Sequence, residues 1–285
     1  DWTTARALCL NIPATTTTSR KPVQEHHPQD IQQVGPSDEL KLEVVRRGSG
    51  PPLLLLAGED ALETDSQFLD ELAKSYEVII PSPPGFGRST RPDWITGPDD
   101  IAYMMLDVVD ELGLKNIPVI GCSFGGWIAA EMATKDDGFI SKLVLVDPYG
   151  IKTGKPTERE IQDVWLLSPD EVMALKWHDV AKGQRDFKSM PEDALTIVAR
   201  NRESFARFGW EPYLHNPKLK QRLHRIKVPT LLVWGEHDGI VTPKYGEAYR
   251  KLIPDARLAV IPQAGHLPHI EQPQAFLAEL RKFLG

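Results

Sequence analysis

The feature of this sequence that most constrains its fold is an apolar run that ends abruptly in a serine between glycines. Residues 117–120 lead into Gly121-x-Ser123-x-Gly125, and an apolar stretch compatible with a helix follows to about residue 135. This pattern is typical of a nucleophile elbow, in which a serine occupies a sharp turn between a strand and a helix. Glycines are needed there because strand and helix approach closely and the serine adopts a crowded backbone conformation. The stretch therefore predicts a strand, a nucleophilic serine and a helix whose N-terminus faces it.

Strand-like and helix-like stretches alternate on both sides of this elbow. The predicted strands cover residues 40–47, 52–58, 76–81, 142–148, 228–235 and 257–261, and the predicted helices cover residues 68–75, 99–113, 244–252 and 273–284. Several strand-like runs are apolar throughout, as expected of strands buried on both faces of a parallel sheet. Such alternation favours right-handed crossovers between parallel strands. The fold class is therefore predicted as α/β, with a doubly wound, mostly parallel sheet.

The alternation stops between residues 150 and 225, where the sequence has no buried strand run. This segment instead has helical stretches at residues 158–167, 169–182 and 191–208. We therefore expect a helical cap over residues 150–225, inserted into a core formed by residues 31–149 and 226–285. Open α/β sheets bind ligands at the carboxyl ends of their strands, and we expect the cap to cover that edge. Residues 1–30 are poor in core-forming side chains and are predicted to form a flexible or edge-lying arm.

Charge and cysteine content narrow the function further. A net charge of -7 argues against binding to nucleic acid or to an anionic membrane surface. Cys9 and Cys122 provide neither a disulfide framework nor a metal-binding cluster, which favours a reducing compartment. No run reaches the roughly 18 apolar residues that span a bilayer, and the visible N-terminus has no signal-peptide pattern. The expectation is a cytoplasmic protein that needs no metal or other cofactor.

A nucleophilic serine requires a base and a residue that orients the base. After an elbow serine, the acid is expected next in the chain and the histidine last. Asp238 lies in the loop after the strand-like run 228–235, and His266 lies in the loop after the following run. Asp147 is the alternative acid because it also ends a buried run, but Asp238 stands in a Gly-Glu-x-Asp loop and is preferred. The predicted catalytic residues are Ser123, Asp238 and His266.

These motifs resemble those of the cap-bearing members of the α/β-hydrolase superfamily. The resemblance extends over residues 40–149 and 226–285. Within these ranges, two further motifs match the family, Pro84-Gly85-Phe86-Gly87 and Ala264-Gly265-His266. In the remaining residues, the cap matches that family only in its position and its helical character. The resemblance implies the α/β-hydrolase fold, a serine nucleophile and a chemistry without a cofactor.

The resemblance also implies an oxyanion hole made by two backbone N–H groups. One belongs to Phe124, directly after the nucleophile, and the other belongs by position to Glu59. The chain departs from the family at Ala57, because members usually carry His-Gly where this sequence has Ala57-Gly58. The carboxylates of Glu59 and Asp60 would oppose a developing oxyanion unless their side chains turn away from it.

The function predicted from the resemblance is hydrolysis of a carboxylic ester or a related acyl bond through an acyl-enzyme. A serine at the elbow argues against the epoxide-hydrolase and dehalogenase branches, which use an aspartate. One alternative is a carbon–carbon bond hydrolase of the meta-cleavage type, although those members usually place a tryptophan where this chain has Leu267. A lyase, a thioesterase, or a hydrolase-fold small-molecule receptor with slow turnover are further alternatives.

Large side chains in the cap indicate the kind of substrate. Trp165, Trp177 and Trp210 are predicted to contact the substrate, together with Gly58 beside the oxyanion hole. Packing inside the cap is the alternative role for each tryptophan. The expected partner is a small apolar or aromatic ester, since such side chains would line the space above Ser123.

Overall fold

The computed structural model describes residues 30–33, 39–60, 66–155 and 157–285 of the chain. Eight strands form a single sheet in the spatial order β1-β2-β4-β3-β5-β6-β7-β8. The strands are β1 Asp30–Gln33, β2 Lys41–Arg47, β3 Pro52–Leu56, β4 Glu77–Pro81, β5 Ile117–Cys122, β6 Ile140–Val146, β7 Thr230–Gly235 and β8 Ala256–Ile261. β2 pairs antiparallel with β1 and β4, and every other neighbouring pair is parallel. The predicted doubly wound, mostly parallel sheet is confirmed.

Helices cover both faces of the sheet. They are α1 Gln67–Ala73, α2 Pro98–Glu111, α3 Ser123–Lys135, α4 Pro169–Lys176, α5 Val180–Gly183, α6 Glu192–Gly209, α7 Leu219–Arg222, α8 Pro243–Leu252, α9 Pro268–Glu271 and α10 Pro273–Leu284, with a 3₁₀ turn at Leu223–Arg225. α2, α3 and α8 contribute to one apolar cluster, and α1 and α10 contribute to a second cluster on the opposite face. A strand between two such layers must be apolar on both faces, which explains why all six residues of β7 are buried.

The segment between β6 and β7 contains the cap, and its first part differs from the sequence-based expectation. The predicted helix over residues 158–167 is wrong, because this stretch is irregular. One turn forms where the N–H groups of Leu166 and Leu167 donate to the Asp163 carbonyl, and other backbone groups of the stretch bond to distant segments. The N–H of Gln162 bonds to the carbonyl of Ile240, and the hydroxyl of Tyr213 accepts from the N–H of Val164 and donates to the carbonyl of Gln162.

The predicted helix over residues 169–182 is divided in two. α4 begins behind a capping box, in which Ser168 accepts from the N–H of Glu171 and the Glu171 carboxylate accepts from the N–H of Ser168. α4 ends at Lys176, because Trp177 has an extended conformation and the Lys176 carbonyl bonds to the N–H of His266. The chain resumes helical structure only in α5. The end of α4 is therefore fixed by its contact with the core.

α6 attaches the cap to the loop after β4. Its buried side chains recur at helical spacing, with Asn201, Ser204, Phe205 and Phe208 on the inner face. The Asn201 side chain accepts from the N–H of Gly87 at 2.9 Å, and the Ser204 hydroxyl donates to the Gly85 carbonyl at 2.8 Å. Two polar contacts thus hold α6 across the same edge of the sheet that carries Ser123.

The sheet extends further toward the N-terminus than the sequence indicated, because β1 was not predicted. The predicted arm of residues 1–30 lies outside the described residues except for Asp30, with which β1 begins. Cys9 also lies outside them. Within the described ranges, no helix has both the length and the apolar character needed to cross a membrane.

Candidate active site

The turn from β5 to α3 places Ser123 at the centre of the site. Ser123 is the first residue of α3 and has a φ of 51°, in the left-handed region that side chains other than glycine rarely occupy. A Cβ atom on Gly125 would lie 2.2 Å from the Leu56 carbonyl oxygen and 2.3 Å from that of Ala57. The glycine is therefore required, since the start of α3 abuts the end of β3. The backbone of Gly58 lies beside Ser123 in the same way.

Ser123, His266 and Asp238 form a continuous hydrogen-bonded chain. Oγ of Ser123 lies 2.7 Å from Nε2 of His266, and Nδ1 of His266 lies 2.7 Å from Oδ2 of Asp238. All three residues are buried, with Ser123 and His266 each 1% exposed. The structure therefore brings together the three residues predicted as catalytic. The histidine, which is the expected base, lies between the serine and the acid.

The surrounding backbone orients this chain. The second carboxylate oxygen of Asp238 accepts from the N–H groups of Ile240 and Val241, at 2.8 and 3.0 Å. The N–H of His266 donates to the carbonyl of Lys176 at 2.7 Å. The acid is thus oriented by its own loop, whereas the backbone of the histidine is held by the cap.

Glu271 is a second anchor for the histidine loop that the sequence did not reveal. It is 2% exposed, and its carboxylate accepts from the N–H groups of Gly265, His178 and Asp179 at 2.6, 3.2 and 2.8 Å. One buried side chain therefore joins the residue before His266 to two residues of the cap. No local pattern signals such a contact, because it depends on where the chain returns after α4.

Asp147, the alternative acid, lies next to Asp238 and does not bond to the histidine in this structure. It is fully buried, and its Oδ1 accepts from the N–H of Gly235 at 3.0 Å. Burial and the nearby charge of Asp238 raise the pKa of Asp147 well above its usual value. The neutral form of Asp147 is therefore favoured beside an Asp238 carboxylate that faces the histidine.

Potential ligand atoms of Asp147, Asp238 and His266 lie within 4.8 Å of one another, which is close enough for a shared metal ion to be considered. The distance between His266 Nδ1 and Asp238 Oδ2 is only 2.7 Å. Two ligands about 2.0 Å from a tetrahedral ion lie about 3.3 Å apart. The spacing fits a hydrogen bond and does not fit a shared ion.

The side chain of Glu59 points into the site. Its Oε2 accepts from Oγ of Ser123 at 2.7 Å, and its Oε1 accepts from Nζ of Lys176 at 2.9 Å. The same ammonium group lies 2.6 Å from Oδ2 of Asp60. The carboxylate of Glu59 therefore does not turn away from the serine, and the opposing charge is offset by a cation that the cap supplies.

Lys176 sets the ionisation of both carboxylates. Burial would raise the pKa of Glu59, but the lowering effects together outweigh it, led by the charge of Lys176, and the pKa is lowered. Asp60 is only partly buried, and the lowering effects of its charged neighbours, led by Lys176, outweigh that desolvation, so its pKa falls to about 2. The two carboxylates in turn raise the pKa of Lys176 against the effect of burial. At neutral pH the site thus holds two carboxylates and one ammonium ion beside Ser123.

The residues predicted for the oxyanion hole flank the serine. Phe124 lies in the first turn of α3, where backbone N–H groups lack carbonyl partners within the helix. Gly58, which precedes Glu59, would place a Cβ 3.3 Å from the Cβ of Ser123. The backbone on both sides of the serine is therefore close enough to face a group bound to its Oγ.

Aromatic rings form one wall of the site, but the predicted tryptophans are not its inner members. Tyr149 lies 5.4 Å from the ring of His266, and its fully buried hydroxyl interacts with Ser123. Phe205 of α6 lies 5.8 Å from Tyr149 and 5.6 Å from Phe124. These three rings lie where the cap meets the core beside the serine.

The tryptophans lie further out. Trp165 contacts Phe205 at 5.2 Å, so it reaches the inner wall through that ring. Trp210 packs on Trp165 at 5.6 Å and is 60% exposed. Trp177 is buried, and a Cβ on Gly183 would overlap its ring. Trp177 therefore packs within the cap.

Comparison with known proteins gives a consistent result. The model of the alpha/beta hydrolase family matches residues 48–280. Lipase 1 from Psychrobacter immobilis is 27% identical, over 78% of this chain and 73% of the lipase. The 2-hydroxymuconate semialdehyde hydrolase of Pseudomonas sp. (strain CF600) is 28% identical, over 83% of this chain and 88% of that hydrolase. A solved structure of a thermophilic esterase from Thermogutta terrifontis is similar with a TM-score of 0.68 and 25% identity, over 89% of this chain and 96% of the esterase.

Proposed function

The chain belongs to the alpha/beta hydrolase family, and from that premise we propose that it is a serine hydrolase that cleaves carboxylic esters through an acyl-enzyme. The observation that carries the proposal is the unbroken chain from Ser123 through His266 to Asp238, with both heavy-atom distances at 2.7 Å. A serine is a weak nucleophile at neutral pH, and a base held at this distance activates it.

In the proposed reaction, Oγ of Ser123 attacks the ester carbonyl while Nε2 of His266 takes its proton. The imidazolium that forms is stabilised by Asp238, which also fixes the tautomer of the ring. His266 then protonates the departing alcohol, and an acyl group remains on Ser123. Water attacks the acyl-enzyme with His266 again acting as base, and this step releases the acid and restores the serine.

The negative charge that develops on the carbonyl oxygen needs hydrogen-bond donors. We assign this role to the backbone N–H groups of Phe124 and Glu59, which flank the serine. A donor of this kind contributes roughly 3 kcal/mol to transition-state stabilisation. The Glu59 carboxylate faces Ser123, so its charge must be offset during catalysis, and Lys176 is the cation placed to do so.

The relatives support an ester more than a carbon–carbon bond. One similar protein is a lipase and one similar structure is an esterase, whereas a third relative hydrolyses 2-hydroxymuconate semialdehyde. Leu267 follows His266 in this chain, and the meta-cleavage branch usually has a tryptophan there. We therefore propose an ester as the substrate, with an apolar or aromatic group against Phe205, Phe124 and Tyr149.

A fluorophosphonate probe tests the nucleophile, because it reacts with an activated serine. The probe should label the wild-type protein, and Ser123→Ala should lose all labelling. A mass-spectrometric search for the modified peptide identifies the site. Labelling of the alanine variant at the wild-type rate would refute the assignment.

A substrate panel tests the bond type. The panel should contain esters with acyl chains of increasing length, a thioester and a vinylogous 1,5-diketone. Multiple turnovers of the esters at the highest kcat/KM would support the proposal. Preference for the diketone would identify a carbon–carbon hydrolase, and release of about one product molecule per protein would identify a receptor with slow turnover.

A further inference from the structure

Oγ of Ser123 makes two short hydrogen bonds, and both partners are groups that ordinarily accept. One partner is Nε2 of His266 at 2.7 Å, and the other is Oε2 of Glu59 at 2.7 Å. A hydroxyl group has a single proton and can donate it to only one acceptor. The second contact therefore requires a proton that belongs to a partner, since two oxygen or nitrogen lone pairs do not approach to 2.7 Å without one.

Two arrangements satisfy this requirement. In the first, Glu59 is protonated and donates to Ser123, and Ser123 donates to a neutral His266. In the second, His266 is an imidazolium that donates to Ser123, and Ser123 donates to the Glu59 carboxylate. The arrangements have the same total charge and differ only in where one extra proton lies.

The contacts of Glu59 favour the second arrangement. Its Oε1 accepts from the Lys176 ammonium at 2.9 Å, and a paired carboxylate resists protonation. The pKa of Glu59 is lowered accordingly, despite burial. On the other side, Asp238 faces Nδ1 of His266 at 2.7 Å and stabilises a positive ring.

We propose that Glu59 is a further catalytic residue, which shares one proton with His266 across Ser123 and so keeps the resting site inactive until that proton leaves. The inference rests on the proposed role of Ser123 as nucleophile. An imidazolium cannot accept the serine proton, and the serine proton in this state points to Glu59. Loss of one proton to solvent leaves a neutral His266, to which Ser123 then donates.

Lys176 acts through Glu59 as a positioning residue. The titratable groups around this proton lie on several elements, and their charges oppose one another. They are Lys176 on α4, Asp60 after β3, Cys122 in β5, Asp147 and Tyr149 after β6, Asp238 after β7 and His269 on α9, while Arg185 after α5 acts on Asp60. Lys176 contacts Glu59 directly, with 2.9 Å between Nζ and Oε1, so its removal takes this ion pair away.

The test is the pH dependence of kcat/KM for an ester and of the fluorophosphonate labelling rate. In Glu59→Gln, the amide keeps the shape of the side chain, donates to Ser123 and accepts from Lys176. The acidic limb of both profiles should move to lower pH by about one unit, since an adjacent carboxylate shifts a titration by about one to three units. Two units below the wild-type midpoint, activity relative to its plateau should rise about tenfold.

Lys176→Met provides the opposite change. It removes the cation that Glu59 and Asp60 share, so the shared proton is held more tightly and the acidic limb should move to higher pH. Asp60→Asn is the matched control, because Asp60 also pairs with Lys176 but has no contact with Ser123. Its acidic limb should shift by less than that of Glu59→Gln.

The acidic limbs of the Glu59→Gln and Lys176→Met profiles should shift in opposite directions. A purely structural role would lower the plateau of kcat/KM in both variants without moving the two limbs apart. Unchanged limbs, or limbs that move in the same direction, would overturn the inference even if Ser123 is labelled normally. Absence of labelling in the wild-type protein at every pH would instead refute the proposed function. Should Glu59→Gln fail to fold, the direction of the Lys176→Met shift alone decides.

Discussion

Two buried carboxyl groups, Asp147 and Asp238, lie in one cluster but differ in their hydrogen bonds. Asp238 accepts from two backbone N–H groups and faces the histidine, whereas Asp147 accepts from one N–H group and leaves its Oδ2 without a partner among the described residues. Two adjacent carboxylates do not both ionise easily in a buried site, and hydrogen bonds to a carboxylate favour its charged form. The raised pKa of Asp147 identifies it as the neutral member.

This difference predicts unequal effects of the same substitution. Asp238→Asn should lower kcat by up to about 10⁴-fold, because the amide favours the wrong tautomer of His266. Asp147→Asn should change kcat by less than about tenfold, because an amide resembles the neutral carboxyl group that it replaces. Steady-state kinetics of both variants on one activated ester provide the measurement, and the reverse ranking would assign the orienting role to Asp147.

At this scale, the sequence indicated the residues that follow strands and missed those that the cap contributes. Ser123, Asp238 and His266 each lie in a loop after a parallel strand, and such loops meet at one edge of the sheet. Lys176 and the side-chain direction of Glu59 carry no comparable pattern. Both depend on the position of α4 over the sheet, which the packing of the whole cap decides.

Among the helices, α6 and α4 have different relations to the site. α6 presents an aromatic side chain to the inner wall, since Phe205 contacts Phe124 and Tyr149. α4 presents its C-terminal end, whose carbonyl groups bond to the catalytic loops. We therefore expect α6 to influence substrate selection and α4 to hold the residues that we propose as catalytic.

Phe205→Ala tests this division. Removing the ring should enlarge the space near Phe124 and favour bulky esters over small ones, with a change in the ratio of kcat/KM values of about 10- to 200-fold. Trp210→Ala is the matched control, because that ring is 60% exposed and lies beyond Trp165. Kinetics over an ester series give the ratios. Equal effects of the two variants would exclude a selective role for Phe205.

Most element predictions follow from the hydrophobic pattern, and the failures have a common cause. The seven strands from β2 to β8 were predicted from short apolar runs between turn residues, and the long helices were predicted from apolar residues at helical spacing. The irregular stretch near Ile161 was predicted as a helix, although its backbone bonds to the loop at Ile240 and to Tyr213. Such long-range partners leave no periodic signal in the sequence.

At the scale of the whole molecule, one group of charges joins the cap to the sheet. Lys176 bridges α4 to Glu59 and Asp60, and α4 also bonds to the loops after β7 and β8. The stability of the closed arrangement should therefore depend on pH. A carboxylate whose pKa is lowered by folding stabilises the protein above its usual pKa, and this contribution is lost as the pH falls through the folded-state pKa.

Asp60→Asn should isolate this contribution. The pKa of Asp60 is about 2 in the folded protein, whereas the usual pKa of an aspartate is 3.8. The wild type should therefore be more stable than the variant at neutral pH. The difference should shrink as the pH falls from about 4 to about 2. Urea unfolding of both proteins over this pH range measures it, and a difference that stays constant with pH would show that the Asp60 charge does not stabilise the fold.

The attachment of α4 has a consequence for recombination among related proteins. The main-chain carbonyls of Leu175 and Lys176 hold Gly239 and His266, so these two residues of the cap also support the catalytic loops. A chimaera that exchanges the entire cap would alter turnover together with selectivity. A graft that keeps the chain through Asp179 and begins after it would vary selectivity alone, because the N–H groups of His178 and Asp179 also anchor Glu271. Directed evolution of this chain toward new substrates therefore has its free positions in α6 and its fixed positions at the end of α4.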